Sequence, residues 1–302
     1  MKHAQIDVAA VSLADTRLPG RVADFVALTK PRLNLLVVAT SAAGFYLGAQ
    51  GEPDLLRMGQ AVLGTALVAG GSAALNQLYE RDTDALMRRT RMRPLPDGRV
   101  APIDALLLGM ALSGMGVLLL AACANLLSAV VALATLLLYV IVYTPMKRRS
   151  AAATFVGAIP GALPPLIGWA AANGTLSVGG WSLFAIVFFW QIPHFMAIAW
   201  MCRADYGKAG FPMLPVVEPD GRSTGRQALT YAAALLPASL IPTLVSVSGA
   251  AYFAVALALG AWMIWLSIRF ATARTDAAAR RLFFGSIAYL PLILIVMIAN
   301  RL

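Results

Sequence analysis

Residues 58–84 read MGQAVLGTALVAGGSAALNQLYERDTD, and the change of character along this stretch decides the fold. From Met58 to Leu75 there is no charged side chain. At about 1.5 Å per residue, a helix of that length approaches the roughly 30 Å hydrocarbon core of a bilayer. The stretch then closes on a burst of polarity, Asn76-Gln77-Leu78-Tyr79-Glu80-Arg81-Asp82-Thr83-Asp84. It reads as a membrane-spanning helix with a polar end. Asn76, Glu80 and Asp84 fall at i, i+4 and i+8, so the spacing places them on one helical face, while Asp82 points away. Arg88 extends the row if the helix persists that far.

Eight further apolar stretches resemble it. Together the expected spans are 33–50, 58–79, 103–121, 125–143, 151–171, 179–201, 228–247, 250–268 and 282–299. The expected fold is therefore an all-α integral membrane bundle of nine helices in one domain, 1–302, with residues 1–24 as a mobile N-terminal segment. Composition agrees. The chain is 60 % hydrophobic and 13 % charged, with a mean hydropathy of +0.75. A soluble domain holds about 45–50 % apolar and about 25 % charged residues, so that class is excluded.

The net charge of +10 would suggest nucleic acid in a soluble chain, but the placement of the charges says otherwise. The gaps near 122–124, 172–178 and 248–249 hold no Lys or Arg, and 22 of the 24 basic residues fall in the alternate loops. Only Arg57 and Arg301 lie on the other side. The positive-inside rule then puts the N-terminus in the cytoplasm. Residues 1–32 hold no signal-like apolar run and carry Asp7, Asp15 and Asp24, so a bacterial inner membrane is the expected home. Cys123 and Cys202 form no CxxC pair and fall on opposite sides, which predicts two free thiols.

The chemistry lies where polar residues interrupt the apolar pattern. Two carboxylates four residues apart repel each other, so Glu80 and Asp84 need a cation. An amide and two carboxylates suit Mg²⁺, which takes few protein ligands and completes its shell with substrate phosphates. The alternative is a solvated helix end whose acids pair with Arg81, Arg88 and Arg89. A second polar mouth, Arg203 to Lys208 with Asp205 inside it, follows the sixth span. Both mouths are followed by a Pro-Asp-Gly-Arg turn, at 96–99 and 219–222. Tyr139, Tyr143 and Lys147 repeat the i/i+4/i+8 spacing at the end of the fourth span. Lys147, Arg148 and Arg149 are either topology charges or a clamp on an anion. Inside the sixth span, Gln191-Ile192-Pro193-His194-Phe195 is a polar kink. His194 is either a hydrogen-bonded structural residue or a contact to a buried, cofactor-like substrate.

Asn76-x₃-Glu80-x₃-Asp84 followed by Met87-Arg88-Arg89-Thr90-Arg91-Met92-Arg93-Pro94 resembles the first acidic motif of the UbiA superfamily of intramembrane prenyltransferases. Further segments point within it to the branch that farnesylates haem: Leu28-Thr29-Lys30-Pro31-Arg32, Tyr143 to Arg148, Gly161 to Trp169, Gln191 to Phe195 with Met213-Leu214-Pro215, and Arg280 to Phe284 with Tyr289-Leu290-Pro291.

The resemblance implies a nine-helix bundle around a cavity, capped by the loops after spans two and six. It implies Mg²⁺-dependent transfer of farnesyl from farnesyl diphosphate to a vinyl carbon of haem B, with addition of water. It assigns the metal to Asn76, Glu80 and Asp84, with Asp205 joining them as catalytic. The diphosphate falls to Arg88, Tyr143, Lys147, Arg148 and Lys208, and the haem to Gln191 and His194. A downstream haem-modifying enzyme or terminal-oxidase assembly is the implied transient partner. One departure stands out: Met201 occupies the position four before Asp205 where the superfamily carries a second acid. Two other classes stay open, namely a UbiA-type enzyme for an aromatic or quinone precursor, and a non-catalytic haem carrier or transporter.

Overall fold

A computed structural model describes residues 20–302, which run as α1 (Arg21–Leu28), α2 (Pro31–Gly48), α3 (Leu55–Asp84), α4 (Pro102–Cys123), α5 (Leu126–Leu137), α6 (Thr144–Met146), α7 (Ala153–Ala162), α8 (Pro164–Asn173), α9 (Val178–Met201), α10 (Arg203–Lys208), α11 (Leu214–Val217), α12 (Arg222–Leu244), α13 (Ala250–Ala273) and α14 (Asp276–Ala299). Residues 1–19, with Lys2, His3 and Arg17, lie outside the described residues. Of the N-terminal segment expected to be mobile, residues 21–24 are the first turn of α1.

Among the described residues, eight helical spans are long and apolar enough to cross a membrane. They match the expected second to ninth spans. The expected first span forms a helix too, α2, but its eighteen residues include Arg32, Asn34, Thr40 and Ser41 and make it less apolar. Two spans are interrupted. The fourth runs through α5, a π-helical turn at Leu138–Tyr143, and α6. The fifth breaks at Leu163, where Pro164 and Pro165 start α8.

The thirty residues of α3 extend about 45 Å, so α3 overshoots a hydrocarbon core of roughly 30 Å and carries its polar end beyond it. Asp54 caps its start by accepting from the Arg57 amide at 3.0 Å. Small residues let its neighbours approach closely, as membrane helices require where burial alone supplies no drive. Gly71 lies directly against Gly109 and Ser113 of α4, and a side chain there would collide with backbone. Gly71→Leu is expected to separate α3 from α4 at a cost of roughly 3 kcal/mol or more. Thermal unfolding of the purified variant against Gly59→Leu, which has open space around it, measures the effect.

The two ends of the bundle differ in chemistry. At one end Arg57 donates to the Ala124 carbonyl at 2.9 Å, and Arg301 reaches Gly51 at 2.7 Å. At the other, Arg99 bonds Asp24 at 3.0 Å, and Arg203 bonds Asp276 at 2.7 Å. The two Pro-Asp-Gly-Arg turns are alike: Gly98 and Gly221 have φ of +73° and +71°, and Asp97 and Asp220 each pair with the arginine two residues on. Cys123 and Cys202 are free thiols, as expected.

Candidate active site

The end of α3 presents Asn76, Glu80 and Asp84 in one buried row, at 1 %, 6 % and 1 % exposure. Each meets a cation from a different part of the chain. Lys30 donates to Asn76 Oδ1 at 3.3 Å, and the same amide donates to Thr144 Oγ1 at 3.1 Å. Lys147 Nζ lies 2.9 Å from Glu80 Oε1 and donates to Oε2 at 3.3 Å. Arg93 Nη1 bonds Asp84 Oδ2 at 2.7 Å. Glu80 Oε1 is buried and receives no aligned hydrogen bond.

The helix stops at Asp84, because Ala85 begins a run of tight turns and Thr90 Oγ1 donates back to the Asp84 carbonyl at 2.8 Å. Arg88 therefore does not extend the row; it sits exposed on the turn beyond. The cation on Asp84 is Arg93. The sequence reading did not single out Lys30 or Arg93 as site residues, although both lie inside the quoted motifs.

Lys30 caps α2 in the left-handed conformation, with φ of 48°, ahead of Pro31. Its ammonium is lowered to about 7, first by burial and then by Arg93 and Lys147, with Glu80 and Asp84 opposing. Lys147 goes the other way. Burial works against its charge, but the Tyr143 and Glu80 oxygens outweigh it and hold the ammonium above its ordinary value.

The π-helical turn arranges this flank. It lets Thr144 Oγ1 donate to the Tyr139 carbonyl at 2.8 Å while facing Asn76, in keeping with the frequent use of π-turns at functional sites. The Tyr139 and Tyr143 rings meet tilted at 47° with centroids 5.3 Å apart, and Lys147 Nζ lies 4.6 Å over the Tyr143 ring. The expected row Tyr139-Tyr143-Lys147 is present. Arg148 is exposed.

The second mouth folds over the first. Met87 from the loop after α3 is buried with Ala209, Phe211 and Met213 from the loop after α9. Arg89 lies 5.1 Å over the Tyr206 ring. Burial opposes the Arg89 charge, yet Tyr206, Cys202, Asp84 and Asp205 together hold it above the usual value. Arg89 therefore sits in the field of both Asp84 and Asp205, the latter half-buried on α10. Lys208 is exposed at the end of that helix.

Below the acid row lies a cavity of about 330 Å³, walled by Lys30, Asn34, Tyr139, Gln191, His194 and Phe195 among others. Gln191 Nε2 donates to the carbonyls of Val187, at 3.1 Å, and Ala158, at 3.3 Å. His194 is sandwiched between Trp190 and Phe283, with centroids at 5.1 and 5.0 Å. Ser286 Oγ must donate its single proton to the Phe283 carbonyl at 2.6 Å, because a carbonyl only accepts. The 2.8 Å contact between Ser286 Oγ and His194 Nδ1 then runs from Nδ1–H to the hydroxyl. That fixes the tautomer and leaves Nε2 as an acceptor.

A bundle of membrane helices whose apolar chamber opens on buried carboxylates and half-buried cations defines an intramembrane enzyme for an amphiphilic anion. The chain belongs to the UbiA prenyltransferase family, which matches residues 37–290, and it is an intramembrane prenyltransferase. It is 48 % identical over 287 residues to the protoheme IX farnesyltransferase of Solibacter usitatus, covering 92 % of this chain and 98 % of that one. It is 46 % identical over 283 residues to the enzyme of the same name from Opitutus terrae, covering 93 % and 96 %. Among solved structures it is similar to a digeranylgeranylglyceryl phosphate synthase, with TM-score 0.78 and 15 % identity over 93 % of this chain and 98 % of that one. It is also similar to a UbiA homologue from Archaeoglobus fulgidus bound to GPP and Mg²⁺, with TM-score 0.64 and 18 % identity over 91 % and 99 %.

Proposed function

We propose that this chain transfers the farnesyl group of farnesyl diphosphate to a vinyl carbon of haem B, with addition of water, giving haem O and diphosphate. The observation that carries it is a row of two acid–cation pairs and one lysine-bonded amide, placed over an apolar cavity that presents an imidazole acceptor. The name and high identity of the two relatives support the same substrates.

Asn76, Glu80 and Asp84 fit a divalent ion. They offer an amide and two carboxylates to a hard cation that needs few protein ligands, and Glu80 Oε1 is a buried oxygen without an aligned donor. Mg²⁺ held there would supply Lewis-acid stabilisation of the departing diphosphate. The Archaeoglobus homologue bound to GPP and Mg²⁺ is in keeping with that choice.

The chain's own residues do the rest. Lys147 and Arg93 now pair with the two carboxylates of the row while Lys30 bonds the Asn76 amide, and each has donors that can turn to a phosphate oxygen when the anion enters. Arg88, Tyr143, Arg148 and Lys208 stand along or above the path the anion takes to reach them. Arg89 and Asp205 close the cap over it. The apolar walls below hold the isoprenoid and keep bulk water from quenching the allylic cation formed as the carbon–oxygen bond breaks. The vinyl carbon attacks that cation, and one water adds to the neighbouring carbon and gives up a proton. Gln191 and His194 face the haem. The same reading places the mouth on the cytoplasmic side of a bacterial inner membrane, with the product passing to a downstream haem-modifying enzyme or oxidase assembly.

Mass spectrometry of haem extracted after incubation with farnesyl diphosphate tests the proposal, with 4-hydroxybenzoate as a competing acceptor. Hydroxyethylfarnesyl haem is the expected product, and prenylated benzoate alone would overturn it. His194→Ala is expected to weaken haem binding about tenfold, a modest loss for one contact. Ser286→Ala frees the imidazole to adopt either tautomer and is expected to shift the Soret band of bound haem, whereas Ser286→Thr keeps it. An unchanged spectrum and affinity in His194→Ala would return that residue to a structural role.

A further inference from the structure

The motif Arg280-Arg281-Leu282-Phe283-Phe284 has two faces. Leu282 and Phe283 turn inward, and Phe283 stacks on His194. The outward residues border a separate open groove of about 420 Å³ between α13 and α14, walled by Trp262, Leu266, Arg280, Arg281, Phe284 and Gly285. Gly285 is what brings the helices together at its floor, since a side chain there would strike Leu266.

The charges of this groove are uncompensated. The acid within helical reach of Arg280 is Asp276, one turn earlier, and its carboxylate is taken by Arg203 at 2.7 Å. Among the described residues no carboxylate pairs with Arg280 or Arg281. Outside the groove, Arg269 on α13 lies 6.0 Å over the Trp265 ring. Below the arginines the surface turns apolar and stays so, with Phe284 57 % and Trp265 53 % exposed.

We propose that this groove binds one anionic phospholipid, its phosphate held by Arg280 and Arg281 and its acyl chains laid along Phe284, Trp262 and Leu266. A phosphate alone accounts for the guanidiniums but not for the aromatic wall, and a neutral or zwitterionic lipid leaves the two arginines of the groove without a counter-charge. Basic pockets between membrane helices at the headgroup level hold acidic lipids for this reason. The consequence reaches the active site, because the opposite face of the same turns of α14 carries Phe283 and Ser286, which hold His194. A lipid seated outside fastens the helix that positions the imidazole inside. The site is independent of which acceptor the enzyme prenylates.

Native mass spectrometry of the full-length protein, released from micelles containing phosphatidylglycerol and phosphatidylcholine, tests it. The wild type is expected to retain one phosphatidylglycerol in preference to phosphatidylcholine. Arg280→Gln/Arg281→Gln is expected to lower that retention roughly 25-fold, about fivefold for each lost guanidinium near an acidic headgroup. Arg149→Gln/Arg226→Gln, which removes the same charge elsewhere, should retain the lipid as the wild type does. Unfolding temperature in pure phosphatidylcholine, unchanged between the two double variants, keeps folding out of the comparison. Three results would overturn the proposal: equal retention in both double variants, displacement of the lipid by millimolar inorganic phosphate, or loss of a dimer mass in place of a lipid mass in Arg280→Gln/Arg281→Gln.

Discussion

Glu80→Gln and Asp84→Asn are each expected to lower haem O formation by roughly 10²–10³-fold, the scale of losing one preorganised electrostatic contact to a developing charge. Both substitutions keep size and shape and remove only the negative charge. Each also leaves a largely buried cation, Lys147 or Arg93, without its carboxylate, so part of the unfolding temperature is expected to be lost with the charge. Unfolding temperature measured beside turnover distinguishes that structural loss from the chemical one. The two variants should also bind Mn²⁺, used as a paramagnetic probe, more weakly than wild type in the absence of any substrate. Near-normal turnover of both with excess Mg²⁺ would sink the assignment of the row to the metal.

Much of this was legible in the chain because membrane burial simplifies the code. An uncharged run from Met58 to Leu75 has few alternatives to a spanning helix, and three polar side chains at four-residue spacing share a face wherever the helix lies. What the spacing could not show was where the helix ends. Stopping at Asp84 removes Arg88 from the row, and the loop brings Arg93 to Asp84 in its place. Lys30 was hidden for a different reason: it contacts Asn76 across 46 residues, and nothing local announces a long-range contact. The π-turn at Leu138–Tyr143 was equally silent, since its apolar residues read as ordinary helix. The tautomer of His194 depends on Ser286, 92 residues away, and no periodicity carries that information. Pairings within one helix were readable, and pairings between helices were not.

Lys147→Met is expected to be the most damaging single change at the mouth, because it acts on stability and turnover together. Lys147 is 15 % exposed and Glu80 6 %, so removing the cation leaves a buried carboxylate with no counter-charge. Breaking one partner of such a pair costs about 3–5 kcal/mol, more than the pair itself contributes, because the orphaned charge must be desolvated alone. The methionine keeps the apolar stem over Tyr143, so the loss belongs to the charge and not to packing. Glu80→Gln/Lys147→Met separates the two effects. With no buried charge left uncompensated, the double variant is expected to recover most of the unfolding temperature lost in Lys147→Met. It should recover none of the turnover, since both the carboxylate and a cation for the diphosphate are gone. Recovery of both quantities would make Lys147 a structural counter-ion to Glu80. Recovery of stability alone separates the two parts Lys147 plays, holding Glu80 before the substrate arrives and holding the diphosphate afterwards.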